Sequence, residues 1–204
     1  MNLSFSSFTG PGSLFTTHTW HAFLHGPGLW YATRAAGLVA LVLLTATTAL
    51  GLLTAGRVVT RRWPRFLVVG LHRNISLLAL VFLALHIGTT VVDTYTSIGL
   101  QDAVVPFLSG YHRFWLGLGA IASDLLIAVS LTTALRNRIG HRLWRAVHWC
   151  GYLCWPIALA HGLGIGTDAS RSWVFYLAIA CGCVVAAAMI TRTVQLLPHR
   201  RLVR

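Results

Sequence analysis

The sequence contains no lysine and no glutamate. Charged residues make up only 10% of it, too few to keep a domain of this size in water. The four acidic residues are all aspartate, and the 16 basic residues are all arginine. Cysteine is scarce and poorly placed for cross-linking. Cys150, Cys154, Cys181 and Cys183 all fall inside apolar runs, which argues against a secreted disulfide framework. Their expected role is small apolar filler. No Cys-x-x-Cys-His occurs, which excludes covalent c-type haem attachment at the level of motif. The N-terminus has no basic n-region, so no ordinary signal peptide is expected. No internal repeat of solenoid period and no low-complexity tract is present.

What is present is apolar. Hydrophobic residues are 56% of the chain and the mean hydropathy is +0.70. Several apolar runs reach the roughly 18 residues that can span a hydrocarbon core. Helices are predicted near residues 33–55, 66–91, 113–135, 143–164 and 172–192. The fold class is therefore all-α, a polytopic transmembrane bundle of about five helices. Residues 1–30 are expected to form an outer or interfacial segment, 31–193 the transmembrane domain, and 194–204 a basic cytoplasmic tail.

The formal net charge of +12 could point to nucleic acid. The arginines lie instead in short loops between apolar runs, and no loop is large enough for a reading domain. No nucleic-acid partner is expected. Counted by side, 13 arginines fall at one face and three, Arg34, Arg113 and Arg171, at the other. The positive-inside rule then puts the C-terminus in the cytoplasm and the N-terminus outside. The expected location is a cell membrane, multi-pass and bacterial.

Histidines carry the chemistry. His72 and His86 lie 14 apart on the second predicted helix, His148 and His161 13 apart on the fourth. An ionisable side chain inside a membrane is costly and signals a function. At 1.5 Å per residue the two spacings span about 21 and 19.5 Å. One helix separates the pair, so both run the same way through the bilayer. His72 and His148 then share the inner level, and His86 and His161 the outer. Two facing imidazoles at each level suit axial ligation of a haem iron, which gives two b-type haems. One angle does not fit: thirteen residues leave an ideal helix about 140° from its starting face. Pro156 lies between His148 and His161, and a kink or tilt there is expected to absorb part of the mismatch.

The run Arg142, Trp144, Arg145, His148, Tyr152, His161, with these histidine spacings, resembles the ferric reductase-like transmembrane domain. That superfamily includes NADPH oxidases, ferric-chelate reductases and the haem subunit of the bacterial methionine sulfoxide reductase system. The resemblance covers roughly residues 30–190. It implies a haem-binding bundle with His72, His86, His148 and His161 as ligands. Arg34 resembles an arginine that the oxidase branch keeps near its outer haem. Members with a complete electron path carry a C-terminal flavin and nicotinamide domain. This chain runs about 12 residues past its last predicted helix and has no Gly-rich dinucleotide fingerprint after a strand. The electron donor is therefore expected to be a separate flavin reductase or another cytoplasmic carrier, with FMN or FAD present only through that partner. The oxidase branch also has an extra histidine one turn beyond the outer ligand. Thr90 stands at that position, which argues against a dedicated superoxide generator.

The sequence-based reading is a transmembrane haem b subunit, an oxidoreductase component that needs a separate dehydrogenase partner. It would pass electrons from a cytoplasmic donor to an outer acceptor such as ferric chelate or a redox protein. Two alternatives stand beside it: a quinone-linked membrane cytochrome b, and a haem-free transport or structural bundle. Further residues keep two readings each. Arg34, Arg113 and Arg171, and on the inner side Arg73 and Arg145, suit haem propionates or helix-end snorkelling. Asp124 falls mid-span and suits either a proton role or packing against a polar neighbour. His18, His21 and His25 suit a surface metal site or a wet cluster. Gly88, Gly117, Gly119, Gly151 and Gly162 allow close approach of helix or haem.

Overall fold

The computed structural model describes residues 28–55, 64–93, 98–166 and 172–196. The His18, His21 and His25 cluster, most of the 1–30 segment, Arg57, Arg61, Arg62, Arg171 and the tail from residue 197 lie outside them. Seven helices occur among the described residues: α1 (Gly28–Ala55), α2 (Arg65–Val92), α3 (Leu100–Val104), α4 (Arg113–Ala134), α5 (Arg136–Ile139), α6 (His141–Ile165) and α7 (Ser172–Leu196). No strand occurs among these residues. The five long helices match the five predicted spans, most of them lengthened by a few residues.

Four of them, α1, α2, α4 and α7, are long and apolar enough to cross a membrane. α6 has the length, 25 residues, but not the hydropathy. The reason lies in its sequence: it carries Arg142, Arg145, His148, His161 and Pro156. The helix richest in candidate functional groups is thus the least apolar of the five.

Local chemistry sets the ends. Pro64 precedes α2 in an extended conformation, and its carbonyl accepts the Leu67 and Val68 amides, at 3.0 and 3.4 Å. Between α4 and α6 the chain reverses through α5 and Gly140. Gly140 has φ 79° and ψ 151°, a region essentially reserved for glycine. Short connections of this kind make antiparallel neighbours, so α4 and α6 form one hairpin as α1 and α2 form another. α7 packs on α1, and α1 also touches α6.

The exterior is apolar. Leu67, Val69, Leu77, Leu78, Val81 and Leu85 of α2 are all exposed, as suits side chains facing lipid. The interior is built from small and medium residues: Leu44, Ala122 and Cys154 in one cluster, Ala49, Leu52 and Ala188 in another. Several polar side chains pair across helices within the bundle, as a hydrocarbon surround favours. Trp155 Nε1 donates to Thr45 Oγ1 across α6 and α1 at 2.8 Å, and Thr33 Oγ1 donates to Thr89 Oγ1 across α1 and α2 at 2.8 Å. The Cys154 thiol donates to the Ala122 carbonyl. Cys150, Cys154, Cys181 and Cys183 are free thiols, as expected of apolar filler.

Candidate functional site

The two hairpins bring the four histidines together in two pairs. His72 of α2 meets His148 of α6 with ring centres 6.3 Å apart, and His86 meets His161 at 6.4 Å. The levels are those expected, and the angular mismatch on α6 does not keep either ring from its partner. Pro156, inside α6, is where the backbone bonding ladder between the two histidines is interrupted.

Three of the four rings are held from behind by a backbone carbonyl of the neighbouring helix. His72 Nδ1 donates to Thr47 O at 3.0 Å, His86 Nδ1 to Thr33 O at 2.8 Å, and His161 Nδ1 to Trp115 O at 2.8 Å. A carbonyl can only accept, so each Nδ1 carries the proton and each Nε2 keeps its lone pair free for a metal. Space is made for the same rings by glycine. A Cβ on Gly37 would lie 2.9 Å from His86, one on Gly119 2.6 Å from His161, and one on Gly51 3.4 Å from His72. The carbonyls and the glycines were not foreseen, apart from Gly119. A carbonyl has no sequence signature, but the 14-residue step from Gly37 to Gly51 repeats that of His86 and His72 and was available as a signal.

Ring separation decides what could sit between them. Metal–imidazole bonds of about 2.0–2.1 Å, plus about 1.1 Å from nitrogen to ring centre, place two axial rings about 6.2–6.4 Å apart. The observed pairs match this. No three His, Cys, Asp or Glu side chains converge as a metal site among the described residues. Two histidines per level would suit a cofactor that brings its remaining metal ligands with it, as haem does, rather than an ion held by protein alone.

An apolar cavity of about 300 Å³ opens at the His86–His161 level. Gly37, Gly119, Leu44 and Ala120 help to line it, and Arg34, Asp93 and Tyr111 sit on its wall. Arg34 lies over the Trp30 ring, 3.7 Å from its centre. Arg113 is exposed, donates to the Phe107 carbonyl and does not line this cavity. Arg73 and Arg145 are exposed. Asp124 is partly buried in α4 and has no hydrogen-bond or charge partner among the described residues, so the expected polar neighbour is not found. Of the other glycines singled out, Gly117 abuts Phe107, a Cβ on Gly151 would make ordinary contact with Val129 at 3.7 Å, and Gly88 and Gly162 face open space.

An all-helical, multi-pass membrane protein with histidines paired at two levels is the class that this fold and site define. Residues 36–159 match the family described as ferric reductase like transmembrane component, and the chain belongs to that family of membrane electron-transfer components. The matched stretch includes His72, His86 and His148; His161 and Arg34 lie just beyond its ends. No curated protein and no solved structure matches the chain.

Proposed function

We propose that the protein is the haem b subunit of a transmembrane electron-transfer system. His72 and His148 would hold one haem near the cytoplasmic face, and His86 and His161 a second near the outer face. The observation that carries this reading is the pair of ring separations, 6.3 and 6.4 Å, at two levels. The carbonyl bonds behind three of the rings and the glycines beside them support it, because they aim and admit rigid ligands. Family membership supports it further, since ferric reductase-like proteins generally bind haem and work with flavin partners.

α6 crosses the membrane as the fifth span, which puts the N-terminus outside and the C-terminus in the cytoplasm. Haem would supply one-electron chemistry at each level. The residues of the chain fix the rings, exclude water with apolar walls and set the spacing of about 21 Å between levels. Arg34, on the wall of the outer cavity, would pair with a propionate. The donor is a separate cytoplasmic flavin reductase carrying FMN or FAD. The acceptor is an outer one, ferric chelate or a redox partner protein.

The test is a pyridine haemochrome assay with a reduced-minus-oxidised spectrum on the purified chain. Two haem b per chain is the expected result. A chain that binds none overturns the reading, and prompt reduction by quinol without response to reduced flavin transfers it to a quinone-linked cytochrome.

A further inference from the structure

The ligand supports follow a rule with one exception. In three arms a backbone carbonyl accepts from the histidine Nδ1, and four residues later a glycine faces the same ring. The sets are Thr33 and Gly37 for His86, Thr47 and Gly51 for His72, and Trp115 and Gly119 for His161. On α1 the two sets are 14 residues apart. The same step along α4 leads from Trp115 to Val129 and from Gly119 to Thr133.

The pairing of α4 with α6 puts Val129 and Thr133 opposite His148. Ala122 is bonded to Cys154, a Cβ on Gly151 would lie 3.7 Å from Val129, and Thr133 is bonded to Trp144. At this fourth arm the glycine is replaced by threonine. The Thr133 hydroxyl donates to the Val129 carbonyl at 2.6 Å and accepts from Trp144 Nε1 at 3.2 Å; the Thr132 hydroxyl, bonded to the Ala128 carbonyl at 2.7 Å, makes only a longer contact with the Val129 carbonyl, at 3.1 Å. The Trp144 ring stacks on His148, centres 5.2 Å apart and planes 27° from parallel. His148 Nδ1 is buried and has no hydrogen-bond partner among the described residues. A buried polar atom left unpaired is uncommon in native structures and needs a reason.

We propose that Thr133 is a tuning residue: by engaging the Val129 carbonyl it leaves His148 as the one axial ligand without a backbone anchor, and so raises the reduction potential of the inner haem. The inference rests on the di-haem reading above. The physical chain is short. An imidazole whose Nδ1–H donates to a carbonyl is the more basic ligand. A more basic ligand favours the oxidised, more positive iron and lowers the potential. Deprived of that bond, His148 is the weaker donor, held by stacking. The level that faces the cytoplasmic donor is thereby made easier to reduce than the full pattern would make it.

Three variants at one position test it, in the haem-loaded full chain. Thr133→Gly restores the pattern, Thr133→Ala removes the hydroxyl without a helix-breaking change, and Thr133→Ser keeps the hydroxyl. The inner haem is identified as the signal lost in His72→Ala. Thr133→Gly and Thr133→Ala should move its midpoint to lower potential and leave the outer one in place, while Thr133→Ser stays with the parent. Loss of the inner haem to apomyoglobin should slow by about 10-fold or more in Thr133→Gly, the scale of ligand-support effects. An unmoved inner midpoint in both Thr133→Gly and Thr133→Ala, with two haems bound, overturns the proposal alone. So does an equal fall in Thr133→Ser, which keeps the hydroxyl. A parent chain without haem overturns the di-haem reading, and the proposal with it.

Discussion

Adding one methyl group at Gly119 should cost the protein its outer haem. The new Cβ would lie 2.6 Å from His161 Nδ1 and Cε1. Ordinary contact begins near 3.4 Å, so the ring must retreat by about 0.8 Å. Its bond to Trp115 O, on the same helix, starts at 2.8 Å and would stretch to a length that no longer counts as a hydrogen bond. Overpacking of this kind costs about 1–3 kcal/mol. Taken from haem affinity, that is roughly a 5–150-fold loss. The glycines grade the effect. Gly37→Ala, at 2.9 Å from His86, should also weaken the outer level, and Gly51→Ala, at 3.4 Å from His72, should barely disturb the inner one. Gly88→Ala meets open space and serves as the control. The assay is haem content per chain, with the rate of haem transfer to apomyoglobin resolved for each level. Full outer-haem retention in Gly119→Ala, with transfer no faster than in Gly88→Ala, would refute the argument that the glycine exists to admit the ring.

Three further outcomes are expected. His72→Ala and His148→Ala should each abolish the same spectral component, and His86→Ala and His161→Ala the other; a shared loss in His72→Ala and His161→Ala would cross the levels. A reporter fused after Arg204 should be cytoplasmic and a tag before Met1 accessible from outside, and a cytoplasmic N-terminal tag would break the five-span topology. NADPH alone should leave the haems oxidised in stopped-flow measurements, whereas reduced flavin from a flavin reductase should reduce them, faster at low ionic strength because the arginine-rich inner face attracts an anionic donor; rapid reduction by NADPH alone would reveal a nucleotide site in this chain.

The helices and the histidine levels were legible in the sequence because apolar length and residue spacing survive folding unchanged. The 14-residue step on α2 was a reliable ruler. The 13-residue step on α6 was not, since an ideal helix puts His148 and His161 on different faces and only the folded helix, with Pro156 inside it, shows both rings turned inward. The supports behind the rings were invisible for a different reason. Thr33, Thr47 and Trp115 act through their backbone oxygens, which any residue possesses. Gly37 and Gly51 look like ordinary membrane-helix glycines until the neighbouring helix is in place. The short α3 was not foreseen, for five residues carry too little periodicity to read.

The modest hydropathy of α6 bears on how the chain is made. A charged group costs about 2.5–3.5 kcal/mol on insertion scales at the centre of a span and less toward its ends. α6 begins with His141, Arg142 and Arg145 and carries two more histidines, whereas α4 before it is strongly apolar. Joined by the tight reversal at Gly140, the two are suited to leave the translocon together as a helical hairpin, the apolar member carrying the polar one. Biogenesis would then place two of the four paired histidines in the bilayer through a neighbour's greasiness rather than their own segment's. An α6 segment offered alone to microsomes should stay out, and the same segment tethered behind α4 should go in; spontaneous insertion of the isolated segment would show that no escort is needed.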